Sequence, residues 1–87
     1  MDVQNEKLKN ACEAAFMTFK KINTGNFDDI SSKLEYCIGS YNFDKNPVGL
    51  LEFGNKALVM LKDYKKDNPR KVTKKVVDDL EKSLSHN

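Results

Sequence analysis

The 87-residue sequence contains one histidine, two cysteines, two prolines, four glycines and no tryptophan. The single histidine is His86, so neither a histidine-based catalytic arrangement nor a zinc site with several imidazole ligands can be assembled. Glycine-rich phosphate loops and nucleophile elbows are absent as well. We therefore predict a non-enzymatic protein, with no catalytic residue, no metal and no cofactor.

Long apolar segments are also absent. No stretch approaches the roughly 18–20 apolar residues that a membrane-spanning helix needs, and the first ten residues, MDVQNEKLKN, lack the apolar run of a secretory signal. Two cysteines are too few for the disulfide framework of a small secreted protein. These absences predict a cytoplasmic protein that does not insert into membranes.

The apolar residues that are present follow a helical period. In the first helix they are Leu8, Cys12, Ala15, Phe19 and Ile22, and in the second they are Phe27, Ile30, Leu34, Cys37 and Tyr41. When the first set is paired in reverse order with the second, each pair of residue numbers sums to about 49, as expected for an antiparallel hairpin with a short connection. The connection is predicted at Thr24 and Gly25, with Asn26 as the following N-cap.

Two further helix starts are predicted from a repeated dipeptide. Asn46-Pro47 and Asn68-Pro69 each combine an N-cap candidate with proline at the first helical position. The sequence therefore predicts an all-α fold, a single domain spanning residues 1–87. Its architecture is a small antiparallel up-down-up-down four-helix bundle, with helices at about 3–23, 26–41, 47–66 and 69–85.

The third helix has more apolar residues than one buried face requires. From position 47 to 64, ten of eighteen residues are apolar, whereas a helix packed on one side needs a single apolar stripe. The residues assigned to the core are Leu51, Leu58 and Leu61. The residues left to cover a second face are Phe53, Val59 and Met60.

Three interpretations of this second face are open: a central helix with neighbours on both sides, a homo-oligomer contact, or a groove for another protein's helix. Gly49 and Gly54 lie in the same helix, where each costs about 1 kcal/mol relative to alanine. Their presence indicates either a close approach of a neighbouring helix or a kink.

Positive charge is concentrated at the junction of helices three and four. Residues 1–55 carry six basic and eight acidic side chains, net −2, whereas residues 56–87 carry nine and five, net +4. The candidate contacts for a polyanion are Lys66, Arg70, Lys71, Lys74 and Lys75. The alternative is an ordinary solvated face, and the junction lacks the aromatic residues typical of single-strand binding.

Cys12 and Cys37 come out level in the predicted hairpin, which makes them a possible thiol pair. The alternative is that both are small apolar residues filling one core layer. From all these patterns the leading hypothesis is a small protein that acts through protein–protein contacts and self-associates through its third helix, with itself or another protein as partner. The alternative function is weak binding of nucleic acid or another polyanion at the basic junction.

Overall fold

The computed structural model describes residues 3–22 and 27–85. Its elements are α1 (Val3–Ile22), α2 (Asp28–Asp44), α3 (Val48–Asp67) and α4 (Lys74–Ser85), and the described part of the chain contains no strand. The predicted all-α class is confirmed. The predicted turn at Thr24 and Gly25, and the Asn26 cap, fall outside the described residues.

Contacts near the helix ends show how the first two helices run. The rings of Phe19, late in α1, and Phe27, just before α2, have centroids 4.9 Å apart. At the opposite end, the Tyr41 hydroxyl of α2 donates a hydrogen bond of 2.8 Å to Glu6 of α1. The two helices are therefore antiparallel, as the residue sums predicted.

The other helices complete an antiparallel four-helix bundle, which confirms the predicted architecture. Lys62 of α3 forms an ion pair with Glu81 of α4, whereas Gly54, earlier in α3, lies beside Leu84, later in α4, so these two helices run in opposite directions. Both α1 and α3 contact all three other helices, whereas α2 and α4 lie on opposite sides of the bundle and scarcely meet. Every helix supplies at least one leucine with no exposed surface: Leu8, Leu34, Leu50, Leu61 and Leu80.

Asparagine and aspartate side chains hold the connection between α2 and α3. Asp44 Oδ1 accepts the Asn46 N–H at 2.9 Å, and Asn46 Oδ1 accepts the Val48 N–H at 3.1 Å. Asn46 therefore bonds the first turn of α3, but α3 begins at Val48 with Pro47 at the N-cap, one residue later than predicted. However, α2 continues to Asp44, three residues beyond the predicted end, and stops where Lys45 adopts a left-handed conformation with φ of 60°.

The second Asn-Pro dipeptide does not start a helix. Asn68 instead closes α3, because both its backbone N–H and its side-chain amide donate to the Tyr64 carbonyl. The Lys71 N–H then bonds the Asn68 carbonyl at 3.0 Å, which forms a turn with Pro69 at its second position, a favoured place for proline. The chain at 69–73 is therefore a connection.

The fourth helix begins at Lys74, five residues later than predicted. Thr73 caps it, since the Thr73 hydroxyl accepts the Val76 N–H at 3.3 Å. Val72, just before the cap, is fully buried and anchors the connection in the core. As a result, Arg70 and Lys71 lie in the connection between α3 and α4, and only Lys74 and Lys75 of the basic cluster lie in α4.

Candidate functional site

The buried stripe of α3 agrees with the predicted core at Leu61 and differs from it at its other positions. Its buried residues are Leu50, Gly54, Ala57 and Leu61, whereas Leu51 and Leu58 are only half-buried beside them. The assignment of Leu61 to the core is confirmed, and Leu51 and Leu58 pack against the core from half-buried positions. Leu50 was not assigned to the core, because Leu50 and Leu51 are adjacent and equally apolar and the apolar pattern does not single out one of them.

The predicted second face of α3 is mostly occupied by its own chain. Phe53 and Met60 are half-buried and pack against the core. The ammonium groups of Lys33 and Lys56 lie 5.5 and 5.1 Å from the centre of the Phe53 ring. Val59 is 67% exposed. That Phe53, Val59 and Met60 form an interface stays a prediction, and Val59 is the member of the set that solvent reaches most.

Both glycines of α3 allow a neighbouring helix to approach closely. A Cβ atom at position 49 would lie 2.8 Å from the sulfur of Cys37 in α2. A Cβ atom at position 54 would lie 3.4 Å from the sulfur of Cys12 in α1 and 3.3 Å from a Leu84 methyl group in α4. Of the two explanations for these glycines, the contacts support a close helix approach.

The two cysteines are free thiols in the bundle interior. The Cys12 thiol donates a weak hydrogen bond to the Leu50 carbonyl at 3.8 Å. Burial, followed by the neighbouring Cys37, raises the pKa of Cys12 to about 12, and burial also raises the pKa of Cys37. Because the thiolate is the reactive form, the fold suppresses the reactivity of both sulfurs. A redox role for the pair stays a prediction.

The outer face of α2 carries two exposed aromatic residues that the sequence reading did not select. Tyr36 is 77% exposed and Phe43 is 91% exposed. They stand seven residues apart and therefore lie on the same side of the helix. Between them Gly39 is exposed, with nothing within 4 Å of the place where its Cβ would be. Phe43 was missed because the predicted second helix ended at residue 41, whereas α2 extends to Asp44.

The predicted basic cluster separates into paired and unpaired cations. Lys75 donates a hydrogen bond of 2.9 Å to Asp79, which raises the pKa of Lys75. In contrast, Lys66, Arg70, Lys71 and Lys74 are exposed, and no carboxylate in the described part of the chain lies within 4 Å of them. Polyanion binding by the five residues stays a prediction, and Lys75 already has an anionic partner.

The fold adds a cation from α1 to this cluster. A cleft of about 300 Å³ opens between the end of α1 and the α3–α4 connection, lined by Lys21, Ile22, Arg70, Lys71 and Thr73. We call it the Lys21 cleft. Sequence reasoning missed Lys21 because it stands 49 positions before Arg70, and only the packing of α1 against α4 brings the two segments together.

A second cleft, of about 380 Å³, lies between α1 and α4 and has lysine, aspartate, asparagine and serine side chains in its walls.

Within residues 3–22 and 27–85, no three His, Cys, Asp or Glu side chains come together as a metal site. None of the helices described is both long and apolar enough to span a membrane. Comparison with protein-family models, curated proteins and solved structures finds no match to this chain.

Proposed function

We propose that this is a non-enzymatic protein that acts by self-association, and that the contact is made by the outer face of α2. The observation that carries the proposal is the exposure of Tyr36 and Phe43 on one side of this helix. Large exposed aromatic residues that share a face are typical of protein contacts. On α3, the face predicted for this role offers Val59 as its exposed residue, so α2 supports the proposal better.

The partner that fits this face is a second copy of the chain. Small residues alternate with the aromatic ones along it, in the order Ser32, Tyr36, Gly39 and Phe43, at the four- and three-residue steps of a helix–helix seam. If two α2 helices pack antiparallel, Tyr36 faces Gly39 of the second copy and Phe43 faces its Ser32. Each large ring then meets a small residue, as a well-packed contact requires.

Charge favours the same orientation. The first turn of α2 contains Asp28 and Asp29, both exposed. A parallel pair would place these aspartates beside those of the second copy, which is destabilising. An antiparallel pair separates these aspartates from those of the second copy, and the dipoles of the two helices are then complementary.

The expected dimer is weak. Burying an aromatic side chain contributes about 1.5–3 kcal/mol, so four rings across the two-fold axis contribute roughly 6–12 kcal/mol. Association itself costs roughly 4–15 kcal/mol. We therefore expect a Kd in the micromolar to millimolar range, which requires measurements over a wide range of protein concentration.

Sedimentation equilibrium over a concentration series tests the proposal. The wild-type chain is expected to show a reversible monomer–dimer equilibrium, which Tyr36→Ser and Phe43→Ser abolish. Val59→Ser is the matched control, since it removes an apolar side chain of similar exposure from α3. A wild-type chain that stays monomeric at millimolar concentration contradicts self-association. Dissociation by Val59→Ser but not by Phe43→Ser would place the contact on α3 instead.

One further variant tests the antiparallel register. Gly39→Leu adds a side chain into open space in the monomer, so the monomer is expected to remain fully folded. In the dimer the new side chain meets Tyr36 of the second copy, and dimerisation is expected to weaken. Unchanged dimerisation of Gly39→Leu would refute the register while leaving self-association in place.

A further inference from the structure

The Lys21 cleft concentrates cations from distant parts of the sequence. Of the five described residues that line it, three are positively charged: Lys21, Arg70 and Lys71. They come from two segments, the last turn of α1 and the connection that precedes α4. The cluster is therefore a product of tertiary packing rather than of a run of lysines along one helix.

These cations lack internal counter-ions. Within the described residues, no carboxylate comes within 4 Å of Lys21, Arg70 or Lys71. Elsewhere on the same molecule cations are paired, as Lys62 is with Glu81 and Lys75 is with Asp79. Unneutralised like charges around a cleft repel one another and create a positive potential that attracts an anion.

The chemistry of the lining residues favours a phosphate group. The Arg70 guanidinium presents a planar set of donors that matches two phosphate oxygens, and lysine ammonium groups act as point charges for phosphate. The Thr73 hydroxyl and the Ile22 side chain complete the walls. A volume of about 300 Å³ lies at the lower limit for small-molecule sites, so the cleft suits a phosphate with little attached to it, or one unit of a longer chain.

We propose that the Lys21 cleft binds a phosphate group, held by Arg70, Lys21 and Lys71. The site is separate from the outer face of α2 and does not depend on self-association. Two sources share this chemistry, a small phosphorylated molecule and the backbone of a nucleic acid. The exposed Lys66 and Lys74, which have no carboxylate within 4 Å among the described residues, favour a source with more than one phosphate.

The proposal is tested by following backbone amide chemical shifts in NMR while inorganic phosphate, and separately a short DNA duplex, is added at low ionic strength. The largest shifts are expected at Ile22, Lys71 and Thr73. Arg70→Gln and Lys21→Gln are each expected to weaken binding about fivefold, the size of one partly exposed charge-assisted contact. Lys75→Gln is the matched control and is expected to have little effect, because Lys75 does not line the cleft and is paired with Asp79.

The two probes distinguish the sources. Tighter binding of the duplex, with a salt dependence that falls by about one unit per lysine removed, indicates a nucleic acid backbone. Equal affinity per phosphate indicates a small phosphorylated molecule, and both results support the cleft. The proposal is overturned if neither probe shifts these amides, or if Lys75→Gln weakens binding as much as Lys21→Gln, because binding would then follow overall charge.

Discussion

Alanine substitution of two of the described helical glycines, Gly39 and Gly49, separates intrinsic helix preference from interhelical packing. Gly39, in α2, has open space where a Cβ would be. At an exposed interior position of a helix, alanine is more stable than glycine by about 1 kcal/mol. Gly39→Ala is therefore expected to raise the free energy of unfolding by about that amount.

The same substitution at Gly49 has the opposite expected sign. Its new methyl group would lie 2.8 Å from the Cys37 sulfur and 3.4 Å from the Cys37 Cβ, closer than non-bonded atoms pack. Overpacking a core contact typically costs about 1–3 kcal/mol. Because Gly49 is in the first turn of α3, the gain in helix propensity on replacing it with alanine is no more than about 1 kcal/mol. We therefore expect the free energy of unfolding to fall by about 1–2 kcal/mol.

Urea denaturation followed by far-ultraviolet circular dichroism measures both effects, at a protein concentration low enough to keep the chain monomeric. For a chain of this length the difference of about 2–3 kcal/mol between the two variants corresponds to a melting-temperature gap of roughly 8–24 °C. Cys37→Ala removes the clashing sulfur, so it is expected to relieve the cost of Gly49→Ala in a double-mutant cycle. Equal stabilisation by Gly39→Ala and Gly49→Ala would refute the close approach of α2 and α3.

Three other properties follow from the cysteines and from the cap of α4. Because burial raises the pKa of Cys12 from 9.0 to about 12, the contribution of its neutral thiol to the free energy of unfolding is complete below pH 9. As the pH rises from 9 towards 12, the thiol ionises in the unfolded chain before it does so in the folded one, and this contribution is lost at about 1.4 kcal/mol per pH unit. Measuring the free energy of unfolding against pH for wild type and Cys12→Ala isolates this slope, and parallel curves would contradict the assignment. Three pKa units also mean about a thousandfold less thiolate at neutral pH, so Cys12 should be alkylated far more slowly in the native than in the unfolded protein, as peptide mass spectrometry would show. Thr73→Ala should lower the free energy of unfolding by about 1 kcal/mol through loss of the cap, whereas Thr18→Ala, whose hydroxyl bonds within its own helix, should change it by less than about 0.5 kcal/mol.

The helix periodicity predicted the fold because local spacing carries that information. In α1 and α2 the apolar residues fall on one side, so their buried faces could be identified directly from sequence. In α3 the same method placed Leu61 in the core correctly but did not select Leu50, since Leu50 and Leu51 are equally apolar and only the contacts of the fold decide that Leu50 is fully buried. The start of α4 failed for a related reason: Asn68 can cap a following helix or close a preceding one, and in this chain it closes α3.

The candidate sites were harder to predict from sequence than the fold, because several of their residues come together only through tertiary packing. The basic residues from Lys66 to Lys75 are visible as a cluster in the sequence, and the pair of Lys75 with Asp79 follows from their four-residue spacing within α4. Lys21 joins Arg70 only through the packing of α1 against α4. The pair Tyr36 and Phe43 was detectable in principle, because both fall outside the apolar stripe of α2 at a seven-residue spacing.

The two proposed surfaces can be occupied together, and their arrangement has a measurable consequence. Because α2 and α4 lie on opposite sides of the bundle, pairing through α2 leaves the Lys21 cleft of each copy open. The clefts lie near the level of the first turn of α2, so an antiparallel pair places them at opposite ends, roughly 30 Å apart along the helix axis.

For duplex DNA, at 3.4 Å per base pair, the axial separation alone corresponds to roughly nine base pairs. The clefts are also separated across the helix axes, because each lies on the side of its bundle away from α2, so a duplex must be longer than this to reach both clefts and gain from bivalent binding. Phe43→Ser, which is expected to abolish the dimer, should therefore leave binding of a shorter duplex unchanged. Fluorescence anisotropy provides the comparison, and weaker binding of a short duplex by Phe43→Ser would show that Phe43 contributes to binding in another way than by joining two clefts.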